Sequence, residues 1–292
     1  MSDYLIKSVV DDGQFRAYAV DATELVREAQ KRHDTWSASS AALGRTLIAT
    51  LMLSSSVLKG DDTLTVRING GGPVGGIVID GNANGTVKGY LQNPHVTLPL
   101  NKRHKIDVAK AVGVKGSLSV TKDLGLDKPY TGKVALATGE IGDDFTYYLA
   151  QSEQIPSAVG VSVFVNDDNS IQVAGGFLIQ VMPGAKDDAI SHLEKRLKEV
   201  PMVSELLLDG QKPEDMLNLL FGEKHVKILD KMPVSFKCDC SKEEFAKALS
   251  SISKTQMQEI IEQDHHAETV CNFCKNKYEF SEQELKAILA KM

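Results

Sequence analysis

The first 237 residues of this 292-residue chain contain no cysteine, and residues 232–292 contain no arginine. The first absence places all thiol chemistry in the last quarter of the chain. The second, with a formal net charge of −6, argues against a nucleic-acid binder, which needs a basic face to neutralise phosphates. The opening MSDYLIKSVVDDG has neither the apolar h-region nor the small-residue cleavage pattern of a secretory signal. Long apolar runs are missing too. The nearest candidate, 37–58, carries Arg45 and many Ser, Thr and Ala, whereas a membrane span needs about 20 nearly all-apolar residues. A helix apolar on most sides is expected to be core, so no membrane partner is expected. The expected location is the cytoplasm, where thiols stay reduced. The Gly-rich stretch 70–76 lacks the Gly-Lys-Ser/Thr ending of a phosphate loop and is expected to be a tight turn. No Gly-x-Ser-x-Gly elbow occurs, and His33, His95, His104, His192 and His225 sit in no motif with a nucleophile. The short basic run 102–105 is expected to be a solvated loop. No enzyme is expected.

What is present reads as an α+β protein: a core domain with a mixed or antiparallel sheet and packed helices, a helical linker, and a small C-terminal domain. Residues 1–182 hold β-type runs at 16–20, 64–68, 77–80, 86–91, 133–137, 159–165 and 171–181, with helical patterns at 23–32, 37–58 and 143–154. The runs come in close pairs joined by Gly, Asn and Asp, which favours antiparallel hairpins over parallel crossovers. Residues 183–232 read as short helices with apolar stripes, for example Ile190, Leu193 and Leu197, and later Met202, Val203, Leu206, Leu207, Leu208 and Met216. Such helices cannot form a core alone, so they are expected to lie across the first domain as a linker.

Residues 233–292 contain three capping boxes, Ser241 with Glu244, Ser253 with Gln256 and Ser281 with Glu284. They also contain all four cysteines, Cys238, Cys240, Cys271 and Cys274, as a Cys-x-Cys and a Cys-x-x-Cys pair. Two close pairs that return through space can supply the four soft ligands of a tetrahedral zinc ion. About sixty residues hold too little core to stand alone, and metal binding can supply the difference. The alternatives are a static zinc ribbon serving as a nucleic-acid or translation adaptor, an iron–sulfur cluster, a thiol oxidoreductase built on Cys-x-x-Cys, and four unrelated buried thiols. His265 and His266 are possible competing ligands, better read as solvated loop residues. Charge weighs against the adaptor, because residues 232–292 carry eight Lys against ten Asp plus Glu. Close thiol pairs can also oxidise to small disulfides, which would remove the zinc ligands. Apparent zinc affinities of such modules, about 10–16 kcal/mol, match or exceed the stability of a whole domain, about 5–15 kcal/mol. Losing the metal is therefore expected to unfold the module.

These motifs, with 70–90 (GGGPVGGIVIDGNANGTVKGY), 129–158 (PYTGKVALATGEIGDDFTYYLAQSEQIPSA) and 174–185 (AGGFLIQVMPGA), resemble over the whole chain the thirty-three-kilodalton redox-regulated heat-shock chaperone family of the bacterial cytosol. The resemblance implies a zinc-bound, nearly inactive reduced monomer. It further implies oxidation to the disulfides Cys238–Cys240 and Cys271–Cys274 with metal loss, unfolding of the C-terminal module and loosening of the linker. The active form implied is a homodimer whose core domain, 1–182, dimerises and holds unfolding client proteins without ATP.

Overall fold

A computed structural model of the chain describes residues 3–102 and 104–292; Arg103 of the expected basic loop, and the first two residues of the N-terminal stretch, lie outside them. The chain divides into two compact units, Met1–Lys237 and Cys238–Met292. In the first unit the strands are β1 (Tyr4–Val10), β2 (Phe15–Asp21), β3 (Thr63–Asn69), β4 (Ile77–Asn82), β5 (Thr86–Leu91), β6 (Ser117–Asp123), β7 (Tyr130–Ala135), β8 (Ser157–Val165), β9 (Ile171–Val181), β10 (Val226–Pro233) and β11 (Ser235–Phe236). Its helices are α1 (Thr23–His33), α2 (Ser37–Val57), α3 (Val108–Val112), α4 (Ile141–Gln151), α5 (Asp187–Glu199), α6 (Val203–Leu208) and α7 (Pro213–Phe221).

Two sheets result, in the strand orders β10-β1-β2-β9-β8 and β11-β5-β4-β3-β6-β7. All their pairings are antiparallel except β11 with β5. The hairpin reading of the sequence therefore holds. Strands β1 and β6 were not among the expected runs; β6 alternates between faces, whereas β1 buries both Leu5 and Ile6.

Helix α2 packs against β4 and β5 of one sheet and β8 and β9 of the other. This explains why it is apolar on most sides and rich in small residues. It is long and apolar enough to cross a membrane by length and composition, yet 83% of its apolar window is buried inside the protein. A Cβ added at Gly81 would meet Ser54 Oγ at 2.3 Å, so the small side chains of α2 pack directly on the β4 backbone there. Trp36, just before α2, is 45% exposed and stacks on His95.

The glycine-rich turn between β3 and β4 spends its amides inside the protein. Gly72 and Val74 donate to the carbonyls of Val112 and Ala111 at the end of α3, Gly71 donates to Asn69 Oδ1, and Gly75 donates to Gly72 O. Those N–H groups are not arrayed toward a ligand.

The 183–232 segment packs its apolar stripe on the face of the first sheet. Leu193, Val203, Leu206, Leu207, Met216, Leu217 and Leu220 are buried against Ile6, Phe15, Ala17, Ala19, Phe177 and Ile179. Met202 and Leu208 of the expected stripe stay 38% and 39% exposed. A buried hydroxyl pair, Ser162 with Ser204 at 2.8 Å, fixes α6 to β8. Two features differ from the sequence expectation. The last part of the segment is not helical: β10 pairs with β1 from Tyr4 opposite Pro233 to Val10 opposite Val226. Residues 233–237 also belong to the first unit, because β11 pairs with β5 and Lys237 N donates to Val87 O. β10 escaped notice because it is an edge strand, its side chains mostly exposed and partly charged, and so shows no alternation.

The second unit comprises α8 (Lys242–Leu249), α9 (Lys254–Gln263), the hairpin β12 (His266–Val270) and β13 (Lys277–Ser281), and α10 (Glu282–Leu289). All three expected capping boxes form, with Ser241, Ser253 and Ser281 accepting from the amides of Glu244, Gln256 and Glu284. The buried apolar cluster is small: Met257, Ile261, Phe280 and Leu285.

Candidate metal centre

Chain geometry brings the four cysteines together from two places. Cys238 and Cys240 lie on the segment between Lys237 and α8. Cys271 and Cys274 occupy the turn joining β12 to β13. That turn is closed by Cys271 N donating to Asn276 O at 2.9 Å and Lys275 N donating to Cys271 O at 2.8 Å. Lys275 takes a left-handed conformation, φ 61°, to complete it. Cys271 and Cys274 are buried, while Cys238 and Cys240 are half-buried. All four are free thiols, and their Sγ atoms lie within 4.8 Å of one another.

Close contacts join the two pairs: Cys238 to Cys271 at 3.8 Å and Cys240 to Cys274 at 3.4 Å. Four sulfurs about 2.3 Å from a tetrahedral metal stand about 3.8 Å apart, so the donor set fits a four-thiolate ion in both number and spacing. Sulfurs of this softness suit zinc rather than a hard cation. Among the described residues this is the one cluster of His, Cys, Asp or Glu grouped tightly enough for a metal. His265 and His266 are exposed and turned elsewhere, His265 to Glu282 at 3.4 Å and His266 to the carbonyl of Asp264 at 2.7 Å.

The thiols differ electrostatically. Burial pushes Cys238 and Cys274 above the ordinary thiol value. Burial acts on Cys240 in the same sense, but hydrogen bonds from the Tyr278 hydroxyl and from neighbouring thiols outweigh it and hold Cys240 below that value. Tyr278, facing Cys240 Sγ at 3.2 Å, is pushed up to about 12 by that contact. Tyr278 is a site residue that sequence spacing did not single out; β13 carries it, and only the fold places it beside Cys240.

The comparisons with known proteins agree along the chain. The family model described as Hsp33 protein matches residues 3–281. The 33 kDa chaperonin of Levilactobacillus brevis is 69% identical over 289 residues, covering 99% of this chain and 98% of that one. The 33 kDa chaperonin of Lactiplantibacillus plantarum is 66% identical over 291 residues, covering 100% and 98%. The crystal structure of the 33 kDa chaperonin of Thermotoga maritima, 35% identical, superposes with a TM-score of 0.93 over 100% of this chain and 99% of that one. With the family model and these relatives matching almost end to end, and with four thiols gathered at one point of the C-terminal unit, the chain belongs to the Hsp33 family of chaperones.

Proposed function

We propose that this chain is an ATP-independent holdase controlled by oxidation at Cys238, Cys240, Cys271 and Cys274. The observation that carries this reading is the gathering of four free thiols within 4.8 Å on a unit whose buried apolar cluster is only four residues. In the reduced state the four thiolates hold one zinc ion. A zinc ion held by these four sulfurs would tie the Cys238-x-Cys240 arm to the β12–β13 turn and so supply the cross-link that the small core does not. Under oxidant Cys238 pairs with Cys240, and Cys271 with Cys274. Each disulfide forms as two thiolates give two electrons to a peroxide, which departs as water.

With its ligands consumed, the C-terminal unit unfolds. The chain entering it, β10 and the helices before it, then loosens from the first sheet. The apolar faces so released, among them those of α6 and α7, bind unfolding client proteins in the cytoplasm, and residues 1–182 carry dimerisation. Neither catalysis nor nucleic-acid binding is assigned to the chain; the acidic C-terminal unit suits neither phosphate contact nor the adaptor alternative.

The test compares reduced protein with protein oxidised by peroxide at raised temperature. Light scattering of a heat-denatured client is recorded beside zinc release and thiol count. The reading predicts one zinc and four thiols in the reduced form, loss of both on oxidation, and suppression of aggregation by the oxidised form only. Equal suppression by both forms contradicts it.

A further inference from the structure

The hydroxyl of Tyr278 makes two contacts with one cysteine. It donates to the Cys240 carbonyl at 2.8 Å and lies 3.2 Å from Cys240 Sγ. Its ring is held independently, packed 5.1 Å from the ring of Phe245 on α8 and carried on β13 opposite Thr269. Cys240 is thus tied through Tyr278 to the hairpin whose turn bears Cys271 and Cys274, 38 residues away in sequence.

Groups hydrogen-bonded to metal ligands fix ligand orientation and tune the metal, and their loss typically costs about 10–100-fold in affinity. A phenol has a single proton to donate. The Cys240 carbonyl, at 2.8 Å, is one acceptor for it. Cys240 Sγ, 3.2 Å away, is the second acceptor within its reach, and hydrogen bonds to an ionised sulfur are the stronger kind. Donation to it draws charge off the sulfur. Oxidation begins when a thiolate lone pair attacks a peroxide oxygen: the S–O bond forms, the O–O bond breaks, and the leaving hydroxide takes a proton to become water. A second thiolate then displaces the sulfenic oxygen, again as water, to give the disulfide. A sulfur whose charge is shared with a donor enters the first of these steps more slowly.

We propose that Tyr278 is a positioning residue of the redox switch: its hydroxyl holds the Cys240 arm in ligand geometry and shields that sulfur, setting how readily the thiolate set yields to oxidant. This rests on the metal reading of the four thiols given above.

Tyr278→Phe tests it in the full-length protein, because the ring and its packing on Phe245 are kept and only the hydroxyl is lost. Three quantities are read on zinc-loaded, reduced protein: zinc transfer to a chromogenic chelator, peroxide-driven zinc release, and cysteine-by-cysteine alkylation. The tryptic peptide 238–242 separates Cys240 from Cys238 by tandem mass spectrometry. The variant is expected to bind one zinc about 10-fold more weakly and to release it faster by a similar factor. Alkylation should accelerate at Cys240 ahead of Cys271 and Cys274. Wild-type behaviour of Tyr278→Phe in all three, or parallel acceleration at all four cysteines, overturns the proposal. Zinc-free wild-type protein overturns the metal reading along with it, whereas a zinc-loaded wild type with an unchanged variant overturns this inference alone.

Discussion

At the scale of single residues, two kinds of polar group stand out: four thiols gathered where a metal fits, and a carboxylate that caps a helix from a distance. Cys240→Ser leaves three thiolates in the set. Substoichiometric zinc in the purified variant, by metal analysis, and poorly protected amides in 238–292 are the expected result. Full zinc occupancy would contradict the four-thiolate assignment. Asp3 illustrates the second kind. Helix α1 has Ala22 at its N-cap, which offers no side-chain acceptor. Asp3, on the far side of β1, accepts instead from the amides of Glu24 at 3.1 Å and Leu25 at 2.7 Å. Burial pushes its carboxyl up to about 6 against these bonds, with the charges of Asp21 and Glu24 adding to the rise. A raised carboxylate binds its proton more tightly folded than unfolded, so its contribution to stability is greatest below about pH 4 and declines as pH rises through about 6. Asp3→Asn is therefore expected to flatten the dependence of Tm on pH between about 4 and 6 relative to the wild type. Parallel slopes for the two proteins would refute that assignment. The cysteine pairs could be read from spacing alone. Asp3 and Tyr278 could not, because each acts across more than twenty residues of chain on a group that only folding brings near.

At the scale of elements, legibility followed burial pattern. The caps of α8, α9 and α10 were visible because a capping box is local: both partners lie within four residues. Strands β3, β4, β5, β8 and β9 were visible because their β-branched runs end at Gly, Asn and Asp. β10 and β12 were not: β10 is mostly exposed, and β12, though its burial alternates, turns only Ala267 and Thr269 inward. The short helices α5, α6 and α7 were legible as amphipathic, and the sheet face they cover explains their stripes. Leu217 of α7 is fully buried in that face. Leu217→Ala is expected to destabilise the Met1–Lys237 unit by about 2–5 kcal/mol in denaturant melts. It should also make 183–225 open to limited proteolysis in reduced protein. Unchanged proteolysis would show that the helices hold to the sheet by other contacts.

At the scale of the whole molecule, the two units are stabilised differently. The Met1–Lys237 unit is built on two sheets with α2 buried between strands of both, and its interior is extensive. The Cys238–Met292 unit buries four apolar side chains besides Cys271 and Cys274. Partly buried side chains such as Phe245, Ile260 and Ile288 add to that small interior, and under the proposed function a cross-link at the thiol cluster supplies the rest. Chemistry on sulfur can then act as a folding signal, because bonding free energies of about 10–16 kcal/mol are comparable to the stability of a domain. In the sequence the change of residue pattern suggested a C-terminal region from 233, and in the structure the second unit begins at Cys238. The unit boundary fell a few residues later than expected because β11 extends the second sheet of the first unit.

The most direct measurement is hydrogen–deuterium exchange on the reduced protein before and after zinc is removed by a chelator under anaerobic conditions. The account predicts that amides of α8, α9, the β12–β13 hairpin and α10 lose protection on metal removal while those of β1, β2, β9 and α2 keep theirs. Persistent protection across 238–292 in metal-free, fully reduced protein would contradict it.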